Sequence, residues 1–308
     1  MTHQPDTPSK TLIVVTGPTA SGKTALAIDI ARELGCEIIS ADSRQIYMGM
    51  PIGTATPTAD ELAAAPHHFV ATLPLDAYYS AAEYEADVMA LLPELWLRSD
   101  YVVMCGGSMM YIDAVTRGID DIPTISDETR RRVLAEYDSH GLPHMVRWLR
   151  ELDPEGAETV DLQNPRRVIH AIEITLQSGI PASRLRTGQP KHRPWRTVTM
   201  AIDYPRDELF DRINRRVDRM IAEGMEAEAA SLYPLRHLNS LNTVGYKELF
   251  AMMDGTMDRD TAIARIAKNT RVYAKKQLTW LKRRPEVHYL TPSMPLLPQA
   301  LRIIKQHD

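Results

Sequence analysis

The stretch TGPTASGKT, residues 16–24, contains the residue types that together bind a phosphate chain. Gly17 to Thr24 match the pattern G-x-x-x-x-G-K-[ST], in which glycines let backbone N–H groups point at phosphate oxygens. The lysine adds a positive charge, and the final hydroxyl can bind Mg²⁺. An apolar stretch precedes the loop and a helical pattern follows it, as such a loop requires. The sequence therefore predicts a phosphate-binding loop at Gly17–Thr24, with Thr24 as a ligand of Mg²⁺.

A carboxylate follows a second apolar stretch. EIISA, residues 37–41, leads directly into Asp42. Nucleotide hydrolases also have an apolar strand that ends in an aspartate, which holds Mg²⁺. Here YVVMC, residues 101–105, ends instead in Gly106 and Gly107. Asp42 is therefore a candidate metal ligand or a candidate base, and the local sequence leaves both roles open.

Short apolar strands that alternate with helices must position these residues. We predict strands at residues 11–16, 37–41, 101–105 and 197–202, and a helix that follows the glycine loop and ends at Gly35. Buried strands that enter helices through glycine turns favour a parallel sheet flanked by helices. In such α/β sheets ligands bind beyond the carboxyl ends of the strands. We therefore expect the glycine loop, Asp42 and the Gly106–Ser108 turn to meet in one crevice.

Residues 118–196 interrupt this alternation. They read as helices that prolines divide into short pieces, at positions 123, 143, 154, 165, 181, 190 and 194. SDETRRRVLAEY begins with a helix-capping pattern, and the next long helix is predicted from Pro165 to a stop at Gly179. We predict an α/β protein with a P-loop-like core at residues 1–117 and 197–308, and an inserted all-helical subdomain at residues 118–196.

Composition narrows the class of protein. The 308 residues are 44% apolar and 25% charged, as in ordinary globular proteins. No apolar stretch approaches the roughly 20 residues of a membrane span. The first ten residues, MTHQPDTPSK, lack the features of a signal peptide, so we expect a cytoplasmic protein with a short irregular start. The two cysteines, Cys36 and Cys105, form no Cys-x-x-Cys pair and lie in apolar surroundings that predict burial.

The net charge of −4 is distributed unevenly along the chain. Residues 1–116 carry 5 basic and 14 acidic side chains. Residues 174–202 and 261–285 contain no carboxylate, but both windows contain several lysines and arginines. Two basic windows in an acidic protein indicate a polyanionic partner, and solvated helix faces are the alternative interpretation.

Five segments, taken in order, resemble tRNA dimethylallyltransferases, also called tRNA isopentenyltransferases. The segments are GPTASGKT, DSRQIYMGMPIGTATP, GGSMMY, NTVGYKELF and AKKQLTWLKR, and the resemblance spans about residues 11–284. The glycine loop is shared with many unrelated proteins. Asp-Ser-x-x-x-Tyr followed by Ile-Gly-Thr-Ala, together with the late Thr-Trp-Leu, is far more particular to this family.

The resemblance implies an activity and its partners. The family transfers a dimethylallyl group from dimethylallyl diphosphate to N6 of adenosine 37, beside the anticodon of tRNA, and releases diphosphate. The glycine loop would then hold a diphosphate without a need for ATP, Mg²⁺ would be the cofactor, and the inserted subdomain would contact the anticodon stem-loop. We expect a monomer. The competing hypothesis from the loop alone is a small-molecule kinase that uses ATP.

The resemblance also implies roles for individual residues. Asp42 would accept a hydrogen bond or proton from N6, and Lys23 and Arg216 would act with it in catalysis. Diphosphate would bind Gly17, Pro18, Thr19, Ala20, Ser21, Gly22, Lys23, Thr24, Arg212 and Arg216. The tRNA would bind Asp42, Ser43, Arg44, Gln45, Ser108, Arg130, Arg166, Arg167, Val168, Ile169, His170, Asn242, Thr243, Val244, Gly245, Tyr246 and Lys247. The chain departs from the usual family pattern at Thr56, Ser108, Arg166, His170 and Asn242.

Overall fold

A computed structural model of the protein describes residues 10–307. The predicted irregular start therefore lies, except for its last residue, outside the described part of the chain. Two compact units divide the chain, one of residues up to Thr116 and from Arg193 onward, the other of Arg117–His192. The boundaries differ by a few residues from those drawn on the sequence. Arg193 belongs to the first unit, where its guanidinium pairs with Glu85.

A parallel sheet lies at the centre of the first unit. Its strands are β1 (Thr11–Thr16), β2 (Ile38–Ser40), β3 (His67–His68), β4 (Tyr101–Cys105), β5 (Arg196–Ile202) and β6 (His288–Leu290). They pair in the order β3-β2-β4-β1-β5-β6, and every pairing is parallel. The four predicted strands are confirmed. The two edge strands were not predicted, because His67–His68 and His288–Leu290 are short and, unlike the equally short β2, lack an apolar stretch that would mark them as strands.

Helices surround the sheet and form the second unit. They are α1 (Lys23–Leu34), α2 (Pro51–Thr54), α3 (Ala59–Ala64), α4 (Ala81–Arg98), α5 (Met109–Arg117), α6 (Asp127–Leu152), α7 (Pro154–Thr159), α8 (Pro165–Ser178), α9 (Ala182–Leu185), α10 (Arg206–Ala222), α11 (Met225–Leu232), α12 (Tyr246–Met253), α13 (Arg259–Lys282) and α14 (Leu296–Gln306). Two 3₁₀ segments, Tyr233–Leu235 and Asn239–Leu241, lie between α11 and α12. Within residues 10–307, none of these helices has the length and apolar character needed to cross a bilayer.

Both faces of the sheet are buried, as a parallel sheet requires. Side chains alternate along β1, so Leu12 and Val14 pack with α4 and α5 while Ile13 and Val15 pack with α1 and α14. All four side chains have no exposed surface. Full burial of one such side chain contributes about 1.5–3 kcal/mol, so this central strand is held strongly from both sides.

A further apolar cluster holds together the helices that lie between β5 and β6 in the chain. Met225, Leu249 and Ile266, from α11, α12 and α13, pack there against Ile46 and Met50. Those last two residues come from the segment after β2. The cluster therefore fixes that segment, which begins at Asp42, against the C-terminal helices.

The second unit is helical, as the sequence predicts. Ser126 caps α6 by accepting a hydrogen bond from the backbone N–H of Thr129, and Gly179 ends α8 with a φ of 70°. The sequence interpretation divides the helices at Pro143, and the structure has a break close to this proline. The break in α6 lies two residues earlier, at Gly141, whose φ of 71° and ψ of 179° are not helical. A glycine adopts this left-handed φ without the steric penalty of a side chain, so the chain bends there.

Candidate active site

The predicted phosphate-binding loop joins β1 to α1. Gly22 precedes α1 with a φ of 87°, and no side chain caps that helix end. The first backbone N–H groups of a helix have no partner within the helix and favour an anion. Lys23 is the first residue of α1 and Thr24 the second. The loop therefore has the backbone geometry that its sequence pattern predicts.

The carboxyl ends of β1, β2 and β4 meet around one cavity of about 400 Å³. The residues that line it are Thr19, Lys23, Thr24, Asp42, Ser43, Arg44, Gln45, Gly53, Thr54, Ala55, Cys105, Gly106, Gly107, Ser108, Arg216, Val217, Met220, Asn242, Thr243, Val244, Gly245, Lys247, Ile266, Thr270, Tyr273 and Gln277. All of them belong to the first unit. The prediction that the three strand ends form one crevice is confirmed.

Hydrogen bonds within the turn that follows β2 hold the carboxylate of Asp42 in place. Its Oδ1 accepts the backbone N–H of Arg44 at 2.9 Å and that of Gln45 at 3.3 Å. The side chain of Ser108 accepts the backbone N–H of Ser43 at 2.8 Å, which ties this turn to the end of β4. Both bonds to the carboxylate use Oδ1, so Oδ2 is left to accept a proton from a bound molecule.

Positive charge dominates the lining of the cavity. Among the described residues that line it, Asp42 is the one carboxylate, whereas Lys23, Arg44, Arg216 and Lys247 are basic. Burial lowers the pKa of Lys23, and the neighbouring Arg216 lowers it further. Burial also lowers the pKa of Arg216, while Asp42 raises it. Because water no longer stabilises these two cations fully, a bound polyanion would replace the missing solvation.

Cys105 also lines the cavity, and its thiol stays protonated near neutral pH. Burial raises the pKa of this thiol to about 11, although the charge of Lys23 and a hydrogen bond with Thr24 act in the opposite direction. A cysteine nucleophile must be a thiolate. Cys105 is therefore a packing residue at the end of β4, as the sequence predicts.

Gln277 on α13 connects two strand ends, and the sequence analysis did not include it among the site residues. Its Oε1 accepts the backbone N–H of Thr19 at 3.0 Å, and its Nε2 donates to the carbonyl oxygen of Gly107 at 2.9 Å. Tyr273, one turn earlier, donates to the same carbonyl at 3.3 Å. The only signal in the sequence was the position of Gln277 within AKKQLTWLKR. This side chain sets the spacing between the phosphate loop and the Gly106–Gly107 turn.

A second junction connects α2 with α11 and α12. The carboxylate of Glu228 accepts the backbone N–H groups of Ile52 and Gly53, each at 2.8 Å, and also the hydroxyl of Tyr246. A Cβ atom at Gly53 would lie 2.4 Å from the ring of Tyr246, so only glycine fits there. The segments IGTATP and NTVGYK, far apart in sequence, thus pack directly on each other.

The family model described as IPP transferase matches residues 45–284. The chain is 51% identical over 282 residues to tRNA dimethylallyltransferase 1 of Phocaeicola vulgatus, covering 92% of this chain and 94% of that protein. 

The chain belongs to the IPP transferase family. 

Solved structures agree with this membership. The crystal structure of tRNA delta(2)-isopentenylpyrophosphate transferase from Staphylococcus epidermidis is 32% identical, has a TM-score of 0.69, and covers 96% of this chain and 98% of its own. The structure of a eukaryotic dimethylallyltransferase acting on tRNA has a TM-score of 0.77 at 23% identity, over 92% of this chain and 74% of its own. At 23% identity the similarity to the eukaryotic structure shows only that the fold is shared.

The two arginines of α10 that the family resemblance assigned to diphosphate have different positions in this IPP transferase family member. Arg216 lines the cavity, whereas Arg212 does not. The Nε of Arg212 donates to the carbonyl oxygen of Ala20 at 2.9 Å, and its guanidinium lies 4.5 Å from the ring centre of Tyr204. Arg212 therefore holds the backbone of the phosphate loop from outside the cavity. Of the loop itself, only Thr19, Lys23 and Thr24 line the cavity.

Residues predicted to bind tRNA in the first unit fall into three groups. Asp42, Ser43, Ser108, Asn242, Thr243, Val244, Gly245 and Lys247 line the cavity. Arg44 and Gln45 line it too, but their side chains already donate to backbone carbonyls, those of Asn239 and Ser240 for Arg44 and those of Thr54 and Ala55 for Gln45. Tyr246 has no exposed surface, so its side chain is a structural element of the junction with Gly53.

Residues predicted to bind tRNA in the second unit lie on α6 and on α8. On α8, Arg166, Arg167 and His170 are exposed, whereas Val168 and Ile169 point into the apolar core of the unit. Arg167 lies 3.8 Å from the carboxylate of Asp161. Arg130, in the first turns of α6, is partly buried. The exposed side chains of α8 are thus available to an external partner, and the two apolar ones hold the helix in place.

The two basic windows of the sequence, residues 174–202 and 261–285, contact carboxylates from other parts of the chain in the folded protein. Arg193 pairs with Glu85, and Arg284 pairs with Asp113, which also accepts the indole N–H of Trp280. These arginines neutralise carboxylates of the acidic N-terminal part. The lysines of α13 are exposed and remain candidates for contact with a polyanion.

Proposed function

We propose that this protein is a tRNA dimethylallyltransferase, which transfers the dimethylallyl group of dimethylallyl diphosphate to N6 of adenosine 37 beside the anticodon. The observation that carries the proposal is the single cavity in which one carboxylate, Asp42, lies among the basic groups of Lys23, Arg216 and two further cations. The cations can bind a negatively charged diphosphate, and the carboxylate can accept a proton from an attacking amine. Membership of the IPP transferase family supports the same reaction.

The reaction requires stabilisation of a leaving group. The lone pair of N6 attacks C1 of the dimethylallyl group, the C1–O bond breaks, and its electron pair leaves with diphosphate. Lys23 and Arg216, together with backbone N–H groups of the Gly17–Thr24 loop, hold the negative charge that develops on the departing oxygens. Because both cations are already partly desolvated, their attraction to this charge is stronger than it would be in water.

Proton removal is the second requirement. As N6 forms its new bond it becomes cationic, and it must lose a proton to give the product. Asp42 accepts that proton on Oδ2, while Oδ1 stays bonded to the backbone N–H groups of Arg44 and Gln45. The turn therefore fixes the orientation of the base before the substrate arrives, which is the positioning that general-base catalysis needs.

Mg²⁺ fits the donors of this cavity. The hydroxyl of Thr24 and the carboxylate of Asp42 line it together, and oxygen is the ligand type that Mg²⁺ prefers. Thr24 would hold the ion beside the diphosphate, as P-loop proteins do. When bound, Mg²⁺ would neutralise part of the charge of the leaving group.

The nucleic-acid partner follows from the same site. Adenosine 37 is stacked in the anticodon loop, so it must be turned out to reach Asp42, which favours single-stranded loops over duplexes. We propose that the exposed face of α8, with Arg166, Arg167 and His170, and the lysines of α13 contact tRNA phosphates. We propose that the protein acts as a monomer in the cytoplasm; the observation that one chain supplies all the residues that line the cavity supports the monomer.

The test uses unmodified tRNA, labelled dimethylallyl diphosphate and mass analysis of the nucleosides. Wild type should form N6-isopentenyladenosine at position 37. Asp42→Asn keeps the Oδ1 acceptor of the turn but removes the base, so transfer should fall roughly 10²–10⁴-fold while tRNA affinity stays within a few fold. Asp76→Asn, at an exposed aspartate outside the cavity, is the matched control and should be fully active.

Two outcomes would refute the proposal. One is near-normal transfer by Asp42→Asn, which would remove the carboxylate from the mechanism. The other is formation of ADP from ATP with a small-molecule acceptor and no prenylated nucleoside, which would establish the kinase hypothesis instead.

A further inference from the structure

The second unit carries a cluster of metal-binding side chains on α6. Glu136, His140 and His144 each offer one ligand atom, and these atoms all lie within 4.8 Å of one another. The cluster belongs to the helical insertion, whereas the residues that line the cavity all belong to the first unit. It is therefore separate from the reaction described above.

The break at Gly141 makes this cluster possible. In an uninterrupted helix, residues eight apart are about 12 Å apart along the axis, so Glu136 and His144 could not share one ion. Because Gly141 has a φ of 71° and a ψ of 179°, the chain bends between the two histidines. The Nε2 of His144 then lies 3.3 Å from Oε2 of Glu136, and the Nδ1 of His140 lies 3.3 Å from the same oxygen.

The two histidine–Glu136 separations match two edges of a tetrahedron of ligands. With metal–ligand bonds of about 2.0–2.1 Å, as for zinc, the ligand atoms of a tetrahedral site are roughly 3.3 Å apart. Direct charge-assisted hydrogen bonds between histidine and carboxylate are shorter, at about 2.7–2.9 Å. Both histidine–Glu136 separations are therefore longer than direct hydrogen bonds and suit ligands of a shared ion, while the two histidine nitrogens lie within 4.8 Å of each other.

We propose that Glu136, His140 and His144 bind one divalent transition-metal ion of the zinc type, with water as the remaining ligand. Two imidazoles and a carboxylate are a donor set that suits Zn²⁺, Co²⁺ or Ni²⁺ and not Mg²⁺. The side chains of the three residues are 41%, 56% and 33% exposed in that order, so an ion enters directly from solvent. The bound ion joins the two halves of α6 across the Gly141 break and makes its angle rigid.

Trp148 offers a local reporter of binding. It lies one turn beyond His144, and the centres of the two rings are 6.3 Å apart. A paramagnetic ion such as Ni²⁺ or Co²⁺ in the cluster should quench the fluorescence of this tryptophan. Trp148→Phe removes the reporter and should leave metal affinity unchanged, which assigns the quenched signal.

The experiment uses the full chain, without a histidine tag and freed of metal by a chelator that is then removed. Titration with Zn²⁺ against a chromophoric chelator, and with Co²⁺ followed by its visible absorption, should show one equivalent per chain and tetrahedral coordination. His140→Ala and His144→Ala should each weaken binding by at least roughly 10–100-fold, since even loss of a residue that only supports a ligand has that effect. His192→Ala, at an exposed histidine of the same unit, is the control and should bind as wild type does.

Two results would overturn the proposed metal site. Zn²⁺ binding by the double variant His140→Ala/His144→Ala equal to that of wild type would place the ion elsewhere. Absence of stoichiometric Zn²⁺ and Co²⁺ binding to wild type would show that the three side chains form only a surface ion pair. The circular-dichroism spectrum of each variant confirms its folding, and none of these readouts depends on prenyl transfer.

Discussion

Gln277→Met removes the side chain that connects the phosphate loop to the end of β4. Methionine has a similar length and is unbranched, so it fills the buried site without creating a large void. Gln277 is 3% exposed, which means that water cannot readily replace its two hydrogen bonds. Lys276→Met, at the exposed neighbouring position of α13, is the matched control for the substitution itself.

The expected loss of stability follows from the partners left behind. The backbone N–H of Thr19 would lose its acceptor, and an unpaired buried donor costs about 1–3 kcal/mol. The carbonyl oxygen of Gly107 would still accept a hydrogen bond from the hydroxyl of Tyr273 at 3.3 Å. Loss of the bond from Gln277 to this carbonyl should therefore cost about 0.5–1.5 kcal/mol, as for an ordinary hydrogen bond. The free energy of unfolding should therefore fall by about 1.5–4.5 kcal/mol in total.

Urea denaturation measures the free energy of unfolding, and steady-state transfer to tRNA measures the effect on the site. Displacement of Thr19 and Lys23 by about 1 Å should lower the transfer rate by up to roughly 10²-fold, because the leaving group is no longer held in line. The reasoning is refuted if Gln277→Met matches Lys276→Met within about 0.5 kcal/mol and transfers at the wild-type rate.

Three further variants test other parts of the protein. Burial lowers the pKa of Lys23 below its usual 10.5, so this lysine loses its charge at a lower pH than a lysine in water. Diphosphate affinity, measured by titration calorimetry, should therefore fall as pH rises through that lowered pKa. In Lys23→Arg the same fall should occur at a higher pH. If the affinities of wild type and Lys23→Arg fall over the same pH range, another group causes the pH dependence. Gly53→Ala would place a methyl group 2.4 Å from the ring of Tyr246, and overpacking of this kind should reduce the free energy of unfolding by about 1–3 kcal/mol in urea denaturation. An unchanged unfolding midpoint would show that the junction is loose. The double variant Arg167→Ala/Lys275→Ala should weaken tRNA binding and reduce its dependence on salt, with little change in transfer from saturating tRNA. A binding curve unchanged in midpoint and salt slope would identify both as ordinary surface charges.

Features that depend on consecutive residues could be predicted from the sequence. The Gly17–Thr24 loop, the four central strands and the caps at Ser126 and Gly179 are set by short-range backbone preferences and by side-chain periodicity. The convergence of the loop, Asp42 and the Gly106–Ser108 turn followed too, because parallel strands bring their carboxyl ends to one edge. Family resemblance then supplied the role of Asp42.

Other features required the tertiary structure because their partners lie far apart in the chain. Gln277 bonds to a loop residue 258 positions earlier, and no local pattern encodes that contact. Arg212 and Arg216 share one sequence pattern, yet the direction of α10 places only the second in the cavity. Tyr246 reads as a loop residue beside a ligand, but packing against Gly53 buries it completely. The sequence by itself therefore determined which chemical groups the site contains, and packing of distant helices decided which of them face the cavity and which hold it together.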